Sequence, residues 1–412
     1  MIEFDKFTLA NGLRVIVHRD ETTPMAAINL LYDIGSRDED PERTGIAHLF
    51  EHLMFGGSVN IPNYDEPLQM VGGDNNAWTS NDVTNYYLTV PKDNLETAFW
   101  LESDRMLSLA FSEKSLAVQQ NVVIEEFKQR YFNQPYGDVW LHLRPLAYKE
   151  HPYQWPTIGK SIEQIEKVQL DEIKEFFFKH YAPNNAILVV SGNVEPDHVK
   201  LLTEKWFGSI ESREIAKRNL PKEPKQKEFR SLHLERNVPF DAIYMAFHMA
   251  GRTDDEFYST DLVSDVLSNG QSSRIFQKLI KEQNLFSSID AYLSGDFDPG
   301  LFLVTGKLSK GVSFEEAEAA IWTELNKMAA EKVSDYELQK VKNKIESSLI
   351  FSEISYLNKA MNLATHELLG DANDINTEVD KYRNVSVGDI QNTSAKLFRK
   401  ENCSVLYYHS KK

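Results

Sequence analysis

Two histidines stand four residues apart in Gly45-Ile46-Ala47-His48-Leu49-Phe50-Glu51-His52-Leu53-Met54-Phe55, and a glutamate directly precedes the second. On a helix, four residues give a rotation offset of about 40° and a rise of about 6 Å. His48 and His52 then share one face, one turn apart, where two imidazoles can grip one metal ion. Glu51 stands beside them, within reach of a water on the same ion. H-x-x-E-H is a pattern of two zinc ligands plus a general base. The run around it is otherwise apolar, and charged groups are rarely buried in such a run without a partner or a metal.

A catalytic zinc usually takes three protein ligands and keeps a fourth position open for water. Two histidines leave one ligand to find. The helical stretch Gln119-Gln120-Asn121-Val122-Val123-Ile124-Glu125-Glu126-Phe127 offers a carboxylate from a second helix. Spacing alone does not separate Glu125 from Glu126.

The elements that must position these groups are legible around them. Asn11-Gly12 between two apolar alternations predicts a hairpin over residues 7–18. Residues 26–34 read as an apolar strand, and 38–42 as an acidic loop leading into the metal helix. A short helix is expected at 65–71, a turn-like GGDNN at 72–76 and a strand at 83–90. Helices follow at 93–109, 113–130, 137–149, 161–180 and 195–208, with an apolar strand at 186–191.

The 412 residues exceed what one core usually holds, which implies at least two domains. The composition, 42% hydrophobic and 26% charged, is that of a globular protein. A net charge of −17 argues against a nucleic-acid or anionic-membrane binder. The single cysteine, Cys403, forms no internal disulfide. Neither a membrane-spanning run nor a signal sequence is visible, which points to the cytoplasm, with the periplasm open to a trimmed chain.

The chain also repeats itself. VQLDEI at 168–173 recurs as VSVGDI at 385–390, and Asn185 recurs at the same offset as Asn402. In the second copy the helix at 260–267 takes the place of the metal helix, with Leu262, Asp265 and Val266 where the first copy has His48, Glu51 and His52. The expected fold is α+β: two homologous halves, each a mainly antiparallel sheet with helices packed on it, facing each other across a cleft. The expected domains are a zinc-bearing domain at 1–215, a charged, proline-containing linker at 216–230, and a homologous domain without metal ligands at 231–412.

The chain resembles the pitrilysin/insulinase family of inverted-motif zinc peptidases. The resemblance is carried by Gly35-Ser36-Arg37, Gly45, Ala47-His48, Glu51-His52, Gly73, Asn76-Ala77, Thr79, Asp82, Val122-Val123 with Glu125-Glu126, and His151-Pro152-Tyr153 with Pro156 and Gly159. It implies Glu126 as the third ligand, one Zn2+ per chain, and Glu51 as general base in cleaving unfolded peptides or small proteins. It also implies that substrate adds as a strand beside Asn76, Ala77, Trp78 and Thr79.

This chain departs from the family pattern at three positions. Gln119 replaces a glutamate that supports the ligands from behind. Ile280 and Ser287 stand where members that work alone carry a substrate-binding arginine and tyrosine. The resemblance therefore implies a catalytic subunit whose homologous partner supplies that pair, unless Tyr292 or Arg274 replaces it. A non-catalytic scaffold of the same fold is the alternative, but a scaffold needs none of His48, Glu51, His52 and Glu126. A purely structural zinc is disfavoured, because such sites are closed by four ligands and often use cysteine.

Overall fold

The structure, a computed structural model, describes residues 1–411. Gly12 (φ +88°) turns the chain between β1 (Asp5–Thr8) and β2 (Arg14–Arg19), which pair antiparallel as the Asn-Gly signal predicts. With β3 (Met25–Tyr32), β4 (Asp74–Thr79), β5 (Thr84–Pro91) and β6 (Ala186–Gly192) they form a six-stranded sheet in the order β1-β2-β6-β3-β5-β4. Only β2 and β6 run parallel. The strands β3 and β6 sit centrally and are almost wholly buried, which explains their continuous apolar runs. β4 lies at the edge.

The second sheet comprises β7 (Arg230–Arg236), β8 (Ala242–His248), β9 (Phe286–Leu293), β10 (Leu301–Leu308) and β11 (Cys403–Ser410). Its order is β7-β11-β8-β10-β9, with β7 and β11 the parallel pair. This is the first sheet without β1, so the duplication reaches the topology. The two asparagines at matching offset make matching bonds. The Asn185 amide donates to His180 O at 2.9 Å and Asp33 O at 3.3 Å, and the Asn402 amide to Leu397 O and His248 O, both at 3.0 Å. Each caps a helix end and ties it to a strand exit, which fixes a polar residue in both copies.

The helices along the first sheet are α1 (Ile46–Leu53), α2 (Asp65–Met70), α3 (Leu95–Leu107) and α4 (Glu113–Phe127). After them come α5 (Val139–Ala147), α6 (Ile162–Lys167), α7 (Leu170–His180) and α8 (Pro196–Phe207). The expected single helix at 161–180 is broken, because the Glu172 carboxylate accepts the Gln169 N–H at 2.8 Å and starts a new helix there. The rest of the chain adds α9 (Glu256–Ser268), α10 (Phe314–Ala330), α11 (Asp335–Ser352), α12 (Tyr356–Leu369), α13 (Glu378–Arg383) and α14 (Val387–Leu397). None of the helices among the described residues is long and apolar enough to cross a membrane.

The chain divides into two units, and neither is contiguous in sequence. The first holds residues 1–127, 155–220 and 349–377; the second holds 128–154, 221–348 and 378–412. The contiguous reading of 1–215 and 231–412 therefore needs correction at two segments, each of which joins the unit built mainly from the other half. Val139, Leu143 and Ala147 of α5 form one apolar helix face, and it packs on Ala242, Ala246, Leu301, Leu303, Leu406 and Tyr408 of the second sheet. Conversely α12 packs on β3 and β6 of the first. Helical periodicity shows that a face is buried, not which sheet buries it.

The expected linker is irregular but anchored. In the first unit, the Arg218 guanidinium donates to Asp33 Oδ1 at 2.9 Å and Asp38 Oδ1 at 2.5 Å. In the second, Glu223 Oε2 accepts the N–H groups of Lys149 and Glu150 at 2.9 Å and of His151 at 3.0 Å. Paired side-chain bonds take the place of regular secondary structure there.

Behind the chain that follows α1 lies a buried ion pair. Arg105 and Glu102 are 2% and 0% exposed. Arg105 Nε donates to Glu102 Oε2 at 2.9 Å, and Tyr64 Oη donates to Glu102 Oε1 at 2.8 Å. The guanidinium lies 4.6 Å from the Tyr64 ring centre and 4.4 Å from that of Tyr86. Arg105→Ala leaves a carboxylate buried without its partner, so it is expected to cost about 3–5 kcal/mol in chemical denaturation. Combining Arg105→Met with Glu102→Leu is expected to recover most of that loss.

Candidate metal centre

Helix α1 is two turns long and carries His48, Glu51 and His52, as the four-residue spacing requires. It packs beside the edge strand β4 and against α4. Gln120 locks α4 in place by donating to Ile165 O at 2.9 Å and Val168 O at 3.0 Å, at the junction of α6 and α7. Six residues further along α4, Glu126 lies against the histidines.

The geometry separates the two glutamates. Glu126 Oε2 lies 3.6 Å from His48 Nε2 and 3.5 Å from His52 Nε2, whereas Glu125 is on the exposed side of the helix. Among the described residues, His48, His52 and Glu126 are the group that could hold a metal, with donor atoms all within 4.8 Å of one another. Tetrahedral zinc, with ligands at about 2.0–2.2 Å, places ligand atoms about 3.3–3.6 Å apart. The two measured histidine–carboxylate distances fit that spacing, and two imidazoles with one carboxylate form a donor set suited to zinc with a position left over.

Glu51 is half-buried on α1, directly before His52. Burial raises its pKa, opposed by a hydrogen bond from Thr79 Oγ1 to Oε2 at 2.5 Å and by the charge of His52, and reinforced by Glu126. Thr79 is the last residue of β4, so the base and the edge strand are joined by a single bond.

The stretch 74–79 is a strand and not a loop. Asn76 and Trp78 are exposed on β4, while Ala77 and Thr79 are half-buried. Among the described residues β4 pairs only with β5, which leaves its other edge open. There the Asn76 side chain accepts the Ala77 N–H at 2.8 Å. Gln119 is half-buried on α4, two turns before Glu126 on the same face, and makes no side-chain hydrogen bond among the described residues.

In the second unit α9 occupies the place of α1, beside β9. Leu262, Asp265 and Val266 are buried there, and burial pushes Asp265 up to about 6. Ile280 is half-buried in the π-helical turn Phe276–Glu282. Ser287 is exposed on β9, its hydroxyl donating to Lys307 O at 3.2 Å. Arg274 is committed to Glu337, donating to its two oxygens at 2.8 and 3.1 Å. Tyr292, on the same edge strand β9, is 38% exposed.

Three supporting residues do not show their role in the sequence: Gln120, Thr79 as a partner of the base, and Glu39. The first two lack a local signal, since each acts on a residue far away in the chain. Glu39 reads as part of a solvated acidic loop, yet it is 8% exposed.

Residues 14–160 match the family described as insulinase (peptidase family M16), and residues 167–345 the one described as peptidase M16 inactive domain. The chain is 27% identical over 411 residues to the zinc protease PqqE of Helicobacter pylori, covering 98% of this chain and 92% of that protein. It is 26% identical over 401 residues to the uncharacterized zinc protease YmxG of Bacillus subtilis, covering 96% of each. The crystal structure of a protease from Helicobacter pylori has a similar fold, with a TM-score of 0.93 at 27% identity, covering 99% of this chain and all of that one.

Proposed function

The chain belongs to the pitrilysin/insulinase family of peptidases, and on that premise we propose that it is a zinc-dependent endopeptidase acting on unfolded peptides or small proteins. The observation that carries the reading is the meeting of His48, His52 and Glu126 at zinc-ligand spacing, with Glu51 alongside and bonded to the edge strand. His48, His52 and Glu126 would hold the metal. Zinc, when bound, polarises the scissile carbonyl and makes water a nucleophile at neutral pH. Glu51 accepts the proton of the attacking water and delivers it to the leaving amine. Burial raises its pKa, which makes it a better proton acceptor than an exposed carboxylate.

The open edge of β4 would receive the substrate as an added strand, at Asn76, Ala77, Trp78 and Thr79. Main-chain bonds of this kind give affinity with little demand on sequence. The Asn76 side-chain oxygen accepts the Ala77 N–H that a substrate carbonyl would take. Gln119 would support the ligands as a neutral amide.

We further read the chain as one subunit of a heterodimer. Ile280 and Ser287 cannot donate as an arginine and a tyrosine would, and Arg274 is tied to Glu337. The test is cleavage of an unstructured fluorogenic peptide. A chelator is expected to abolish it and added zinc to restore it, and the isolated chain is expected to show a small fraction of the rate reached with a homologue that carries the arginine and tyrosine. Chelator-resistant cleavage contradicts the zinc reading. Full activity of the isolated chain contradicts only the division of labour, and directs attention to Tyr292.

A further inference from the structure

Helix α1 has to start at a fixed point, because its two turns carry both histidines. Its N-cap residue is Gly45, with φ +93°, and a Cβ there would sit 2.6 Å from Ile158 O. The position accepts no side chain, so α1 cannot be capped in the usual way by the hydroxyl or carboxylate of its own N-cap residue. The open N–H groups of the first turn need acceptors from elsewhere.

Glu39 supplies them from six residues upstream. Its Oε2 accepts the Gly45 N–H at 3.0 Å and its Oε1 accepts the Ala47 N–H at 2.8 Å. A negative charge at a helix N-terminus is also favoured by the helix dipole. Burial opposes that charge and raises the carboxyl's pKa, while the Ala47 and Gly45 N–H groups pull it down. Burying such a group is costly, and the two N–H bonds offset part of that cost.

The loop that carries Glu39 is itself clamped. Trp155 Nε1 donates to Ser36 O at 3.0 Å, Lys160 N–H to Thr44 Oγ1 at 2.8 Å, and Thr44 N–H to Gln164 Oε1 at 3.1 Å. The bonds at Gly45 and Ala47 flank Ile46, the first residue of α1, immediately before His48.

We propose that Glu39 is a positioning residue for the metal centre: its carboxylate sets the start and rotation of α1, and through them the aim of the His48 and His52 imidazoles. The proposal rests on the zinc reading above. It assigns Glu39 no contact with substrate or metal.

Glu39→Gln keeps the length but offers one acceptor oxygen to two N–H groups, and its own amide N–H would face one of them. The intact chain carrying Glu39→Gln is expected to keep its far-UV dichroism. Its zinc affinity, measured by competition with a chromophoric chelator, is expected to fall about 10–100-fold, the usual effect of losing a group that orients metal ligands. kcat is expected to fall while KM stays, because β4 is untouched. Amide exchange in the metal-free protein is expected to quicken at Ala47 and His48. Should Glu39→Gln fail to fold, Glu39→Asp, which keeps the charge but shortens the reach, carries the same measurements.

A variant with lowered thermal stability but wild-type zinc affinity overturns the proposal, since a merely structural cap would behave that way. Failure of the wild-type chain to take up zinc overturns the zinc reading, and this proposal with it.

Discussion

Glu51→Gln is expected to leave zinc uptake unchanged and to lower kcat by about 10²–10⁴-fold, the range lost with a general base. The amide has the size of the carboxyl, and its oxygen can still accept the Thr79 hydroxyl, which lies at 2.5 Å in the wild type. The three candidate ligands are untouched. What disappears is the capacity to take a proton from water and return it to the amine. Burial already disfavours the charged form of Glu51, so replacing it by a neutral group is not expected to destabilise the fold. Rapid cleavage by a zinc-loaded Glu51→Gln protein would remove Glu51 from the mechanism. A protein that no longer binds zinc would place Glu51 among the ligands.

The neighbouring pair Glu125 and Glu126 provides the second large effect. Glu126→Gln is expected to abolish both zinc retention against a chelator and peptide cleavage, whereas Glu125→Gln is expected to change neither. Glu126 Oε2 lies within 3.6 Å of both imidazoles, and Glu125 points to the exposed side. A neutral amide is a poor zinc ligand, and it removes the one negative charge the three residues bring to a dication. The same contrast should appear in thermal unfolding. A ligand that binds only the folded state adds about 2.7 kcal/mol at a concentration 100-fold above its Kd. Wild type and Glu125→Gln should gain this stabilisation from zinc, and Glu126→Gln should not.

Much of this site is readable before any coordinates. His48, Glu51 and His52 announce themselves because their geometry is local: helical spacing alone places them on one face. Asn11-Gly12 and the apolar runs of β3 and β6 likewise carry their conformation in a few adjacent residues. The duplication is visible at Asn185 and Asn402 because both copies solve one bonding problem the same way. Glu126 is different. Residue spacing leaves it level with Glu125, and the packing of α4 on α1 and α6 turns Glu126 inward.

The remaining residues were hidden by long-range packing. The apolar face of α5 is plain in the sequence, but the choice of the second sheet as its partner is made by shape complementarity far along the chain. Glu39 looks like one acid among several, and its burial follows from Gly45 being unable to cap its own helix. The linker looks flexible because it lacks periodicity, yet the side-chain bonds of Arg218 and Glu223 fix it.

The central claim is that two imidazoles and one carboxylate hold one zinc with a position to spare. Zinc-edge X-ray absorption on the metal-loaded intact chain, with metal content measured on the same sample, tests it most directly. The account predicts one zinc per chain, two histidine nitrogens and light oxygen donors at about 2.0–2.2 Å, and loss of one protein oxygen in Glu126→Gln. A chain that takes up no zinc, or a spectrum unchanged by Glu126→Gln, contradicts it.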